Sequence, residues 1–171
     1  KKYESSRDEF KVDGNPDVDY SISTRELAKL LKQANINLPQ LEEGTMDNPL
    51  GEYTGAGVIF GRTGGVIEAA TRTAYEWITG TSLEDVDFTQ LRGMEGIRVA
   101  EVSIPGLDEK LGSKFRIGIA HGLGAARELL DKIRAGEETL HAIEIMACKG
   151  GCVGGGGQPY HHGDFNIIKK R

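Results

Sequence analysis

The chain has 171 residues, 38% of them hydrophobic and 24 of them glycine, with a formal net charge of -5 from 21 basic and 26 acidic side chains. That is enough apolar material to bury a real core, and the acidic balance, with no basic stripe beyond the solvated Lys169-Lys170-Arg171 tail, argues against a nucleic-acid partner. No run approaches the ~20 apolar residues that span a bilayer, so no membrane partner is expected. Two cysteines confined to one motif fit a cytoplasmic, reducing setting better than a disulfide scaffold.

Residues 1–20 read as a polar opening segment, turn-rich from Ser5 to Tyr20 and broken at Asp13-Gly14-Asn15-Pro16. Ser23 followed three residues later by Glu26 forms a capping box, and Leu27, Leu30, Leu31 and Ala34 recur on one helical face. Glu26 is therefore read as a helix-start residue rather than a catalytic acid. From Asn37 to Tyr53 the chain is loop-like, carrying Pro39, Gly44, Pro49 and Gly51 over the surface. The glycine-rich stretch from Gly55 to Gly65 then runs into a helix with Ile67, Ala70, Ala74 and Trp77 on one side and Gly80 as its stop. Glycines ahead of a helix can cradle phosphate, but neither G-x-G-x-x-G nor a P-loop lysine is present. The alternative is backbone N–H groups facing an anionic inorganic centre.

The remainder alternates strand and helix. Ile97 to Ile104 is β-branched and apolar, and Phe115, Ile117 and Ile119 alternate with Arg116 and Gly118. A helix from about Gly124 to Ala135 buries Ala126, Leu129, Leu130 and Ile133, with Lys132 and Arg134 near its C-terminus and Gly136 ending it. The last strand runs from His141 to Ala147. This order predicts a single α/β domain over residues 1–171, a mostly parallel sheet flanked by helices, with a glycine-rich loop after the last core strand. Ligands of such sheets lie at the carboxyl ends of strands, where Cys148 falls. His121 and His141, at strand ends, are expected to be hydrogen-bonded structural residues.

Residues 143–159 hold both cysteines, Cys148 and Cys152, and six glycines between Gly150 and Gln158. Thiolates are soft ligands for iron–sulfur clusters, zinc or cuprous copper, and a C-x3-C pair does not choose among them. The glycine density favours a large ligand approached by backbone and argues against a disulfide. A structural or redox role for the pair stays open, as does a zinc site with His161 and His162, although the spacing and Pro159 suit zinc poorly.

M-A-C-x-G-G-C-x-x-G-G-G-Q-P, from Met146 to Pro159, resembles the last of three cysteine motifs in the active-site domain of iron-only (FeFe) hydrogenases. Gly55 to Val66 followed by Glu68-Ala69-Ala70, and Ala120-His121-Gly122-Leu123-Gly124-Ala125-Ala126, are similar to further family segments, so the resemblance spans essentially the whole chain. Lys1-Lys2-Tyr3-Glu4 matches the tail of the family's second motif, M-P-C-x-x-K-x-x-E, without its cysteine. The resemblance therefore implies the C-terminal part of a larger subunit, with the first motif and any ferredoxin-like domains upstream.

It also implies roles. Cys148 would bind a 4Fe-4S cubane; Cys152 would bind the cubane and bridge to a two-iron subsite, the two together forming the H-cluster. Met146 would pack against that subsite, Phe60 would lie near it, and Gly151 and Gly154 would let backbone approach. Lys1 would donate to a cyanide ligand and Glu4 would orient that lysine. The implied reaction is reversible reduction of protons to dihydrogen, with ferredoxin or a nicotinamide-linked partner as electron source. The isolated chain is expected to be inactive, because the proton-relay residues that the resemblance implies lie mostly upstream, including a cysteine of the first motif, in an N-terminal part of the subunit that is itself a required partner. Ala142 replaces a usual Phe, Lys149 an often-found Pro, and Arg62 a usual small residue. The change at Ala142 would fit a divergent or sensory branch, and none of the three breaks the ligand set; a non-catalytic hydrogenase-like iron–sulfur protein for cluster assembly or redox sensing is the alternative.

Overall fold

The computed structural model describes residues 3–45, 55–81 and 91–171. Two compact units make up the chain, one of residues 1–47 with 156–160 and the other of residues 48–155 with 161–171.

In the first unit, two short 3-10 turns, Glu4–Ser6 and Asp8–Phe10, lead into a two-stranded hairpin of β1 (Lys11–Val12) and β2 (Asn15–Pro16). Asp13 and Gly14 at its tip have φ of 52° and 79°, the left-handed pair that a tight hairpin turn demands. Helix α1 (Thr24–Gln33) starts as the sequence predicts. Ser23 Oγ accepts from the Glu26 N–H at 3.3 Å, and Glu26 Oε2 accepts from the Ser23 N–H at 2.8 Å. The apolar stripe is present, yet no residue of α1 is buried, and Leu27 and Leu30 are exposed.

The second unit contains α2 (Ala56–Ile59), α3 (Gly65–Thr79), β3 (Ile97–Val102), α4 (Asp108–Leu111), β4 (Phe115–His121), α5 (Leu123–Arg134), β5 (Ala142–Met146) and α6 (Phe165–Lys169). The sheet order is β3-β4-β5. β4 and β5 are parallel, joined by α5, which has the length that a parallel crossover needs. β3 pairs antiparallel with β4, because the connection between them holds only the single turn of α4 and turns back. The sheet is thus mixed, where the sequence suggested a mostly parallel one, and helices cover both faces.

Ala100, Val102, Ile117 and Ile119 pack on one face with Leu91, Ile104 and the α3 residues Ile67 and Tyr75. Ala120 packs on the other with Ala126 and Leu129 of α5. Gly118 makes that second contact possible, since a Cβ there would lie 2.5 Å from Leu140 Cδ1 and 3.2 Å from Leu129 Cδ2. The buried stripe of α3 differs from expectation. Gly65, Glu68, Ala69 and Thr71 are buried, whereas Trp77 is 85% exposed. The reason is electrostatic: Glu68 is 1% exposed and its carboxylate sits among Arg62, Arg72 and Arg92 at 3.3, 2.9 and 2.7 Å. Gly80 ends the helix in the left-handed conformation, as predicted.

Candidate metal centre

β5 delivers Met146, Ala147 and Cys148 at its carboxyl end, beside the end of β4 and its His121. Beyond it the chain folds on itself: the Gly151 N–H donates to Cys148 O at 3.0 Å, and the Gly155 N–H donates to Cys152 O at 2.9 Å. The glycine segment ahead of α3 is laced to this loop. Thr63 N–H donates to Gly150 O at 3.0 Å and Val153 N–H to Gly61 O at 2.9 Å. From behind, His121 Nδ1 accepts the Gly150 N–H at 3.0 Å, and Arg171 donates to Val153 O at 2.9 Å. The backbone is fixed on several sides while both thiols, Cys148 and Cys152, are free and exposed.

The glycines explain how two loops approach so closely. A Cβ on Gly151, whose φ is +96°, would fall 2.6 Å from Thr63 N, and one on Gly154 would fall 2.1 Å from Lys149 O. At both positions the missing side chain leaves room for protein backbone. A Cβ on Gly155 would come 3.0 Å from Cys152 O and 3.6 Å from Cys148 Sγ.

Charge is concentrated beneath the loop. In register across the sheet, Arg98 of β3 and Glu144 of β5 flank Ile119, on the face toward α3. Arg98 is 7% exposed, donating to Leu91 O at 2.6 Å and to Thr63 Oγ1 at 3.2 Å. Burial lowers its pKa and the Glu144 and Glu95 carboxylates work the other way; a guanidinium stays protonated throughout. Burial also lowers the His121 pKa, against the pull of the Met94 and Glu95 backbone, so it accepts from Gly150 as a neutral ring. Burial would raise the Glu68 carboxyl, but Arg92 and Arg72 outweigh it and hold it below the ordinary range. Lys149 lays its ammonium 4.0 Å over the Phe165 ring.

Of the residues singled out by sequence, Cys148, Cys152, Gly151 and Gly154 share one loop, and Met146 precedes it half-buried. Phe60 is 47% exposed and adjoins Gly61, which bonds to Val153. Glu4 stands exposed in a 3-10 turn of the other unit, and Lys1 lies outside the described residues. His141 is structural as expected, its Nδ1 accepting from the Arg116 N–H at 2.9 Å. His161 Nδ1 accepts from Gly163 N–H at 3.1 Å, and among the described residues no three His, Cys, Asp or Glu side chains are grouped to hold a metal ion. Arg62, unusual for the glycine segment, reaches Glu68. Sequence reasoning missed Glu144, although a single charge inside an apolar strand is itself a signal.

Two exposed soft donors on a pinned backbone fit an iron–sulfur centre as part of its ligand set, the rest of which must come from elsewhere. The sequence model for the iron-only hydrogenase large subunit, C-terminal domain, matches residues 1–156. The chain belongs to this family. It is 60% identical to the NADP-reducing hydrogenase subunit HndD of Solidesulfovibrio fructosivorans, over 100% of the chain and 28% of that protein. Its fold matches a single-residue variant of the FeFe-hydrogenase HydA1 of Chlamydomonas reinhardtii, with a TM-score of 0.72 and 41% identity, covering 99% of the chain and 48% of that one. More distantly, it is 29% identical to the mouse cytosolic iron-sulfur assembly component 3, over 92% of the chain and 33% of that protein. The chain therefore spans less than half the length of these FeFe-hydrogenase relatives.

Proposed function

We propose that the protein is an iron-only hydrogenase that reversibly reduces two protons to dihydrogen, and that this chain forms one wall of its H-cluster site. The observation carrying this reading is the pinned loop with its two exposed free thiols, Cys148 and Cys152, in a chain of this family. In this reading both thiolates would hold the 4Fe-4S part of the H-cluster, and Cys152 would also contribute to its two-iron part. The remaining cubane thiolates come from polypeptide outside this chain, and the isolated chain is inactive. When bound, the cluster supplies electron storage and the reducing centre.

The chain's own residues bind, orient and exclude. Met146 gives a polarizable, apolar wall. Phe60 would shield the approach from water; the roles of donor and orienting acid for Lys1 and Glu4 rest only on the resemblance of Lys1-Lys2-Tyr3-Glu4 to the family's second motif. Gly151 and Gly154 act by allowing the loop to seat. Lys149, held over Phe165, adds a fixed positive charge near the ligands, which favours the more reduced state. The electron partner is ferredoxin or a nicotinamide-linked subunit, the latter supported by the name of the 60% identical relative. The proposed setting is the cytoplasm, supported by two free thiols in an otherwise cysteine-free chain. No described helix is long and apolar enough to cross a membrane.

The second reading, a non-catalytic iron–sulfur protein for assembly or sensing, has the 29% identical assembly component in its favour. The complete C-x3-C-x-x-G-G-G-Q-P stretch and the 60% identical hydrogenase subunit favour catalysis. Iron, acid-labile sulfide and zinc, assayed on this chain and on the full-length polypeptide made with its maturation enzymes, test the first reading. Iron in the full-length protein alone is the expected result. Iron in neither, or stoichiometric zinc in both, overturns the reading. Infrared bands of metal-bound carbonyl and cyanide are expected in the loaded protein, and iron without them favours the second reading.

A further inference from the structure

Helix α3 begins after Gly64, whose φ is 85° and whose Cβ, if present, would fall 2.0 Å from Leu91 O. Glycine is required there, so the helix has no side chain of its own with which to cap its first turn. The cap comes from the strand that carries the cysteines. Glu144 Oε1 accepts the Gly64 N–H at 2.5 Å and Oε2 accepts the Ile67 N–H at 2.9 Å. These are the N-cap and N3 amides, the pair that Ser23 and Glu26 divide between them at α1. One carboxylate does the work of a capping box across the fold.

Glu144 lies four residues before Cys148, is 8% exposed, and shares its face of the sheet with the buried Arg98. The same glycine segment holds Gly150 through Thr63 and Val153 through Gly61. Three fixings thus bracket both cysteines: Glu144 ahead of Cys148, and Gly150 and Val153 on either side of Cys152. We propose that Glu144 is a positioning residue, one that joins the glycine segment 61–67 and the cysteine loop 148–154 into a single body and so sets where the two thiols point. This rests on the cluster-binding reading for its consequence, though the coupling of the two segments stands on the geometry alone. Groups that orient metal ligands from behind typically change metal affinity 10–100-fold when removed.

The test uses the full-length polypeptide, as wild type, E144A and E144Q. In protein prepared without iron, amide hydrogen exchange is expected to rise about 10-fold or more in peptides covering both 61–67 and 148–154 of E144A, with β3 unchanged. E144Q keeps one acceptor oxygen and turns an NH2 toward the other amide, so it should fall between the two. In protein loaded with iron, retention against a chelator should drop about 10–100-fold in E144A, and the electron paramagnetic resonance line of the reduced cluster should broaden. Faster exchange in 61–67 alone, or loosened loops with wild-type iron retention and lineshape, overturns the proposal. If E144A exchanges throughout, E144Q decides by the same criteria. A wild type that takes up no iron refutes the cluster reading instead, and the exchange result still judges the coupling.

Discussion

Two buried carboxylates in the same unit are stabilised in opposite ways. Glu68 is surrounded by side-chain cations, Arg62, Arg72 and Arg92, whose side chains remain 35–47% exposed. Glu144 is held by the backbone amides of Gly64 and Ile67. A charge cluster at the rim tolerates movement, because Coulomb attraction falls slowly with distance. A pair of amide hydrogen bonds tolerates little, because such bonds weaken steeply once bent. The fold therefore uses Glu68 for adhesion along α3 and Glu144, at the root of the cysteine loop, for register.

Breaking the first side of this contrast should have the largest effect on stability. Glu68→Ala leaves three guanidiniums crowded without the anion between them. A loss of about 2–4 kcal/mol is expected, less than the ~3–5 of a fully buried pair because water screens the arginines. Urea unfolding of wild type and variant measures it. A loss under ~1 kcal/mol would reduce Glu68 to an ordinary surface ion pair.

The same contrast marks what a reader of the sequence can and cannot see. Ser23 and Glu26 are three residues apart, so the cap on α1 was legible and the structure has it. The parallel β4–α5–β5 unit and the cysteine-bearing turn after β5 were legible for the same local reason. Glu144 and Gly64 are 80 residues apart, and nothing local pairs them. On α3, hydrophobic periodicity assigns Trp77 inside and Glu68 outside, and the structure reverses both. Arginines drawn from positions 62, 72 and 92 make burial of that glutamate favourable, leaving Trp77 exposed. The antiparallel course of β3 is hidden because the connection from β3 to β4 runs about a dozen residues, near the length at which a parallel crossover becomes possible.

Acid sharpens the comparison at intermediate size. Glu68 has its folded pKa below the unfolded value of about 4.3. The unfolded chain therefore takes up a proton first as pH falls, and the stabilisation, complete above the unfolded pKa, is lost as pH drops through the folded one. The stability difference between wild type and Glu68→Gln should be constant near neutrality and should narrow progressively below pH ~4. Paired urea titrations across that range check it. A gap that narrows on raising the pH would reverse the assignment of sign.

The smallest effect separates the two anchors most directly. Arg62 belongs to the glycine segment that touches the cysteine loop, yet its guanidinium contacts Glu68 at 3.3 Å, while Arg92 binds both carboxylate oxygens at 3.1 and 2.7 Å. Glu68 keeps Arg72 and Arg92 when Arg62 is removed, so Arg62→Ala should cost under ~1 kcal/mol. Because the backbone bonds from Gly61 and Thr63 do not involve the Arg62 side chain, exchange in 148–154 should stay at the wild-type rate. If Arg62→Ala loosened the cysteine loop as much as E144A, the adhesive and registering roles would not be divided between the two carboxylates, and the glycine segment would be held by its charge rather than by its cap.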